Sequence, residues 1–161
     1  STGIDQFYPE NYEHAQVDLE ESEDFHGLKT LQGNLALDVL EAGMSTSVPT
    51  LLVNEPMLIS NGQNSDVRYN FYYPRWAYDE YRSILNERAN TNDWNYLDLW
   101  DLVPMDEFTN SAVHLTPYGE SLLTEKIAQA ISFLPNNEQS SFRTGQVLVV
   151  DGGATARLST E

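Results

Sequence analysis

The sequence predicts an α/β protein with a short, mainly parallel sheet flanked by helices. Two observations predict it. Amphipathic helical repeats alternate with short apolar runs along the chain, in the order helix, strand, helix, strand, helix, strand. The run VPTLLVNEP is also short, apolar and bounded by two prolines, as a buried parallel strand is.

The first helical pattern sets Leu28, Leu31, Leu35, Val39 and Ala42 at three- and four-residue steps, and Gly43 is placed to end it. VPTLLVNEP follows as the first strand, with a loop beyond its carboxyl end. A second helix carries Ala77, Tyr81, Ile84, Leu85 and Ala89 on one face. NYLDLWDL supplies the second strand, over about 96–100, and Pro104 breaks the chain after it. Pro117 suits the first position of a third helix, whose stripe is Leu123, Ile127, Ala130, Ile131 and Leu134. QVLVV, closed by Asp151-Gly152-Gly153, is the third strand. Three strands are few for a sheet covered on both faces, so the pattern reads as part of a larger unit.

Three regions follow: an acidic arm over 1–26 with a short helix around 10–19, the α/β region over 27–134, and a loop, strand and tail over 135–161. The chain holds 25 Asp and Glu against 8 Lys and Arg, a formal charge of −17. Such a surface repels phosphate backbones and argues against nucleic-acid binding. It suits simple solubility, a salty or extracellular medium, or a cationic partner. The absence of cysteine removes disulfides, thiolate catalysis and thiolate-bound metals, and is compatible with exposure outside the cell or at its envelope. No apolar run approaches the ~20 residues of a transmembrane helix, and the first residues lack the pattern of a signal peptide.

Reactive groups of open α/β sheets gather beyond the carboxyl ends of the strands. That rule selects Asn54 and Glu55 after the first strand, Asp101 after the second, and the loop that holds His114. Asn54 also reads as a turn residue, and Glu55 and Asp101 as solvated acids. His114 reads either as a general base aimed into a cleft, or as a residue that caps the next helix or bonds a nearby carbonyl. The rings of Tyr69, Phe71, Tyr72, Tyr73 and Trp76 read either as a lid or ligand platform, or as anchors of a long loop. His14 and His26 lack metal-ligand spacing, and DLEESED lacks the glycine-centred loop of a calcium site, so no metal is expected.

The run YLDLWDLVPMDEFTNSAVHLTPYGESLLTEKIAQAI resembles the C-terminal block of SGNH/GDSL-type hydrolases. The likeness extends back through YPRWAYDEYRSIL, VPTLLVNEP and NLALDVLEAGM, covering about 28–132. It implies a larger three-layer α/β/α, flavodoxin-like unit, and hydrolysis or transfer of an ester or acyl group of a small substrate. His114 would be the base that takes the proton of a serine, with no cofactor. The family's acid stands three residues before its histidine, where this chain has Ser111, so Asp106, Asp101 and Asp98 are the nearby candidates. The family's G-D-S block is missing, and Ser45 and Ser47 precede a strand rather than follow one. The resemblance thus implies a site incomplete without a serine from a missing N-terminal half or another chain.

The ending is similar to that of short-chain dehydrogenases/reductases over about 127–153, through Thr144, Gly145, Gln146, Asp151, Gly152 and Gly153. That family's glycine-rich phosphate loop and Y-x-x-x-K pair are missing, so no nicotinamide cofactor is expected. The two likenesses read as a chimera or as a fragment completed by another chain. The alternatives to a hydrolase region are a non-catalytic acidic interaction or scaffold module and a dehydrogenase-like assembly fragment.

Overall fold

The computed structural model describes residues 28–61, 65–70, 72–109, 112–133 and 146–150. The expected helix over 10–19, both arm histidines, Phe71, Ser111, Leu134 and the DGG closure lie outside them. The described elements run α1 (Leu37–Met44), β1 (Thr50–Asn54), α2 (Arg75–Thr91), β2 (Asn95–Asp98), a 3-10 turn (Met105–Glu107), α3 (Pro117–Phe133) and β3 (Gln146–Val150). The strands form one sheet in the order β2-β1-β3, and both pairings are parallel. The predicted α/β class with a short parallel sheet is what the chain adopts.

All five residues of β1 are buried, which is why its sequence shows no polar alternation. Its alternating side chains serve opposite faces of the sheet. Leu51 and Val53 join Leu99 in a cluster against Leu123, Ile127 and Ala130 of α3. Asn54 instead meets Tyr78 of α2. A larger cluster on the α2 side gathers Met57, Tyr69, Tyr73, Ala77, Tyr78, Tyr81 and Leu85, with Leu31 from the leading segment. The expected apolar face of α2 is therefore its buried face, with Tyr78 added and Ile84 packed at its margin.

Three local readings need correction. The helix expected from Leu28 begins only at Leu37 and runs through Gly43 to Met44. Gly33 at φ +81° turns the chain in a left-handed conformation that a helix cannot continue. Leu31, instead of being helical, is buried with its N–H donated to the Glu80 carboxylate at 2.9 Å. Val39, expected on the apolar face, is exposed. Strand β2 ends at Asp98 rather than Trp100: the Leu99 N–H makes the last ladder bond, to the Asn54 carbonyl at 3.0 Å, where β1 itself ends. Ile131, expected on the stripe of α3, is also exposed.

The start of α3 is fixed by Thr116. Its hydroxyl accepts the Gly119 N–H at 3.2 Å and donates to the Glu107 carboxylate, while its own N–H reaches the Glu107 carbonyl at 2.8 Å. Thr116 is thus the N-cap and Pro117 the first helical residue. The 3-10 turn lies so close that a Cβ on Gly119 would stand 3.0 Å from the Glu107 carbonyl oxygen and 3.2 Å from the Leu115 Cβ. Gly119→Ala should therefore lower stability by about 1 kcal/mol despite the better helix former, because overpacking costs ~1–3 kcal/mol against a propensity gain of ~1 kcal/mol. Chemical denaturation checks this: a variant at least as stable as the parent would show that the turn yields freely.

Candidate functional site

The segment leaving β1, residues 54–60, organises the carboxyl edge of the sheet. The Met57 N–H donates to the Trp100 carbonyl at 3.0 Å, that of Leu58 to the Ala112 carbonyl at 2.8 Å, and that of Ser60 to the Tyr69 carbonyl at 2.7 Å. One extended segment thereby grips the exit of β2, the loop before α3 and the aromatic loop before α2. A strand that stays extended past its sheet offers N–H groups that need partners, and these three segments supply them.

The loop before α3 closes on itself. Phe108 and Leu115 form an antiparallel bridge, and the Thr109 N–H donates to the His114 carbonyl at 2.8 Å. Phe108 and Ala112 are fully buried beside Leu58 and Val103. Burying a Phe side chain contributes about 1.5–3 kcal/mol, which holds Phe108 and its described neighbours in place. His114 is consequently anchored through its backbone while its side chain is exposed. Of its two readings as a helix neighbour, capping is excluded, because the cap is Thr116.

The nearby carboxylates divide. Asp98 is engaged: one oxygen accepts the Arg82 Nε and Nη2 at 3.0 and 2.8 Å, the other the Asn54 amide at 2.9 Å. The Arg82 guanidinium stacks 4.1 Å from the centre of the Trp100 ring, which fixes the fork. Asp101 and Asp106 are both exposed.

Asn54 is fully buried. Its amide nitrogen has two acceptors, Asp98 and the Tyr78 hydroxyl at 3.3 Å, so both of its hydrogens are used inside the fold. It is a buried strut between β1, β2 and α2, rather than a donor aimed at solvent or a turn residue. Ser45 and Ser47 lie at the amino end of β1, away from His114, and the Ser45 hydroxyl donates to the Glu41 carbonyl at the end of α1. The position of β1 therefore removes both serines from the carboxyl edge.

The aromatic loop is anchored to the core by part of its cluster. Tyr69 and Tyr73 are buried anchors, whereas Tyr72 and Trp76 are 48% and 38% exposed. Asn70 holds the loop in shape: its amide donates to the Leu58 carbonyl at 2.9 Å, and its oxygen accepts the N–H groups of Tyr72 and Tyr73. The sequence reading missed Asn70 and Arg82. Their signal was present only as polar residues inside otherwise apolar helical and loop segments.

Comparison with protein-family models gives no match. The curated proteins and the solved structures give none either. The site is therefore read from its own geometry. Among the described residues, no group of three or more His, Cys, Asp or Glu could hold a metal ion, and no helix is long and apolar enough to cross a membrane.

Burial raises the Tyr78 and Tyr96 phenols well above the ordinary value of 10.0, with the Asp98 charge adding to the effect. Burial likewise raises Tyr69, whose hydroxyl donates to Asp79 at 2.7 Å. A phenol whose folded value is raised contributes stability that is fully present below the unfolded value and lost as pH climbs toward the folded one. Unfolding free energy should thus show no loss from these phenols up to about pH 9 and fall above pH 10. Tyr78→Phe should flatten part of that fall in denaturant titrations; an unchanged alkaline slope would contradict the assignment. Asn54→Ala should cost about 2–3 kcal/mol, since it leaves a cavity and strips partners from Asp98 and Tyr78. A loss below 0.5 kcal/mol (roughly the surface-mutation range) in the same titrations would show that the strut is dispensable.

Proposed function

We propose that this chain is the histidine-bearing part of an SGNH-type ester hydrolase, with His114 as general base for a serine supplied by another polypeptide. The single observation that carries the reading is the placement of His114. Its loop is bolted to the carboxyl edge of a parallel sheet, where open α/β folds do their chemistry, and its ring reaches the surface.

In this mechanism the serine hydroxyl gives its proton to the His114 imidazole as its oxygen attacks the ester carbonyl. The imidazolium returns that proton to the departing alkoxide, and water then hydrolyses the acyl-enzyme by the same relay. Asp101 and Asp106 are the candidates to steady the imidazolium, because Asp98 is held by Arg82 and Asn54. The larger flavodoxin-like sheet would be completed by strands added at an open edge, β2 or β3. Those same edges favour a second reading, an acidic interaction module that binds by strand addition without turnover.

The test mixes the purified chain with a GDS-bearing N-terminal half of an SGNH hydrolase and follows p-nitrophenyl acetate hydrolysis. The mixture should hydrolyse the ester, the chain alone should not, and His114→Ala should lower the rate by about 10³-fold or more. Activity indifferent to His114→Ala would overturn the assignment. A stable complex with no turnover would favour the interaction module.

A further inference from the structure

The loop that carries His114 begins and ends as a short antiparallel hairpin. Phe108 and Leu115 face each other across it. On either side, the Thr109 N–H donates to the His114 carbonyl and the Thr116 N–H to the Glu107 carbonyl, both at 2.8 Å. These two bonds fix the register: Glu107 lies opposite Thr116, and Thr109 opposite His114. Side chains alternate along each strand, so the two faces divide. Phe108 and Leu115 turn inward, to the cluster with Leu58 and Val103. Glu107, His114 and Thr116 take the other face, and the Thr116 hydroxyl on the Glu107 carboxylate shows two of them meeting there.

Glu107 and His114 are therefore diagonal neighbours, a relation that sets Cα atoms about 7–8 Å apart and within reach of long side chains. Thr116 engages Oε2 of Glu107, and among the described residues no hydrogen bond takes Oε1. Glu107 is also half-buried, which screens its charge less than full exposure would. The other acids fit less well. Asp106 precedes it in the 3-10 turn, where one residue is about a third of a turn. Asp101 stands at the exit of β2, and Glu55 after β1 and Glu120 in α3 lie off the hairpin. A base at this position needs such a partner, because α3 starts just after it. A helix N-terminus carries about half a positive charge, which opposes an imidazolium beside it.

We propose that the Glu107 carboxylate is the partner of the His114 imidazolium, reaching it across the hairpin and standing in for the acid that the sequence lacks at Ser111. Glu107 acts through His114 and is a positioning residue. Its part in catalysis rests on the hydrolase reading, and the pairing rests on the hairpin alone.

Proton NMR titration of the full chain tests the pairing without turnover, with His114→Ala assigning its resonance among the three histidines. Glu107→Gln keeps an oxygen for the Thr116 hydroxyl and removes the charge. It should lower the His114 titration midpoint by about half a pH unit or more, because an anion within ~4–6 Å favours the protonated ring. Asp101→Asn and Asp106→Asn should each move it less. The reciprocal reading needs no change at Glu107. In the parent its carboxyl carbon-13 resonance should shift again as His114 titrates, and His114→Ala should abolish that second step. In the complementation assay Glu107→Gln should cut kcat about tenfold with KM unchanged. An unmoved midpoint, a larger shift from Asp101→Asn or Asp106→Asn, a missing second step or an unchanged kcat overturns the proposal. A midpoint shift in a chain that shows no hydrolysis on complementation would remove the hydrolase reading alone.

Discussion

The extended segment that leaves β1 is the constraint on which the carboxyl edge depends. A strand buried on every residue cannot end in solvent at once, and its next N–H groups must find acceptors away from water. Residues 57, 58 and 60 find them on three different segments. The arrangement of the edge is therefore a by-product of satisfying one backbone. The β2 exit, the aromatic loop and the histidine loop each take their place because one N–H of the same stretch points at each. Weakening this segment would loosen all three together, whereas a change within one loop would leave the others held.

Electrostatics adds a second layer to that frame. Asn54 ends β1 with a side chain that turns toward α2, and Asp98 ends β2 beside it. A carboxylate next to a buried amide needs a counter-charge, and Arg82 provides it from the middle of α2. Both partners are about a quarter exposed, so the pair itself contributes little beyond the ~1 kcal/mol of a surface bridge. Its consequence is positional. Arg82 pressed on Trp100 fixes the ring against Tyr69 and Tyr78, with centroids 5.0 and 6.0 Å away, and so joins the polar strut to the aromatic core. The same engagement withdraws Asp98 from any exchange with His114.

The alternation of elements was legible because it rests on periodicity, which burial imposes directly. The face of α2 and the buried run of β1 follow from that rule, and the Pro117 start of α3 from proline's fixed φ. The leading segment misled for an instructive reason: Leu28, Leu31 and Leu35 keep a helical step, yet Gly33 and the Glu80 contact to Leu31 decide the backbone. Spacing records which residues face a core, not the path that brings them there. For the candidate site, the topology rule selected the carboxyl edge of the sheet, and the histidine loop stands on that edge. The rule left open which polar residues are spent internally. Asn54 and Asp101 occupy equivalent strand ends in the sequence, but only contacts at 2.9 Å and 3.3 Å reveal that Asn54 is a strut.

The histidine loop bears on how such a site would work if its serine comes from elsewhere. A base whose geometry depended on the partner would sit on a segment with few contacts of its own, ordered only on assembly. Here the opposite holds. Phe108 and Ala112 are buried, the Phe108–Leu115 bridge and the Thr109 N–H on the His114 carbonyl tie the loop's ends, and the Thr116 cap fixes the helix immediately after it. The ordering entropy of this backbone is met within the chain, at roughly 1–2 kcal/mol for each residue fixed. A partner docking on this edge would then need to order its own nucleophile alone. That division would favour association between preformed surfaces over folding upon binding.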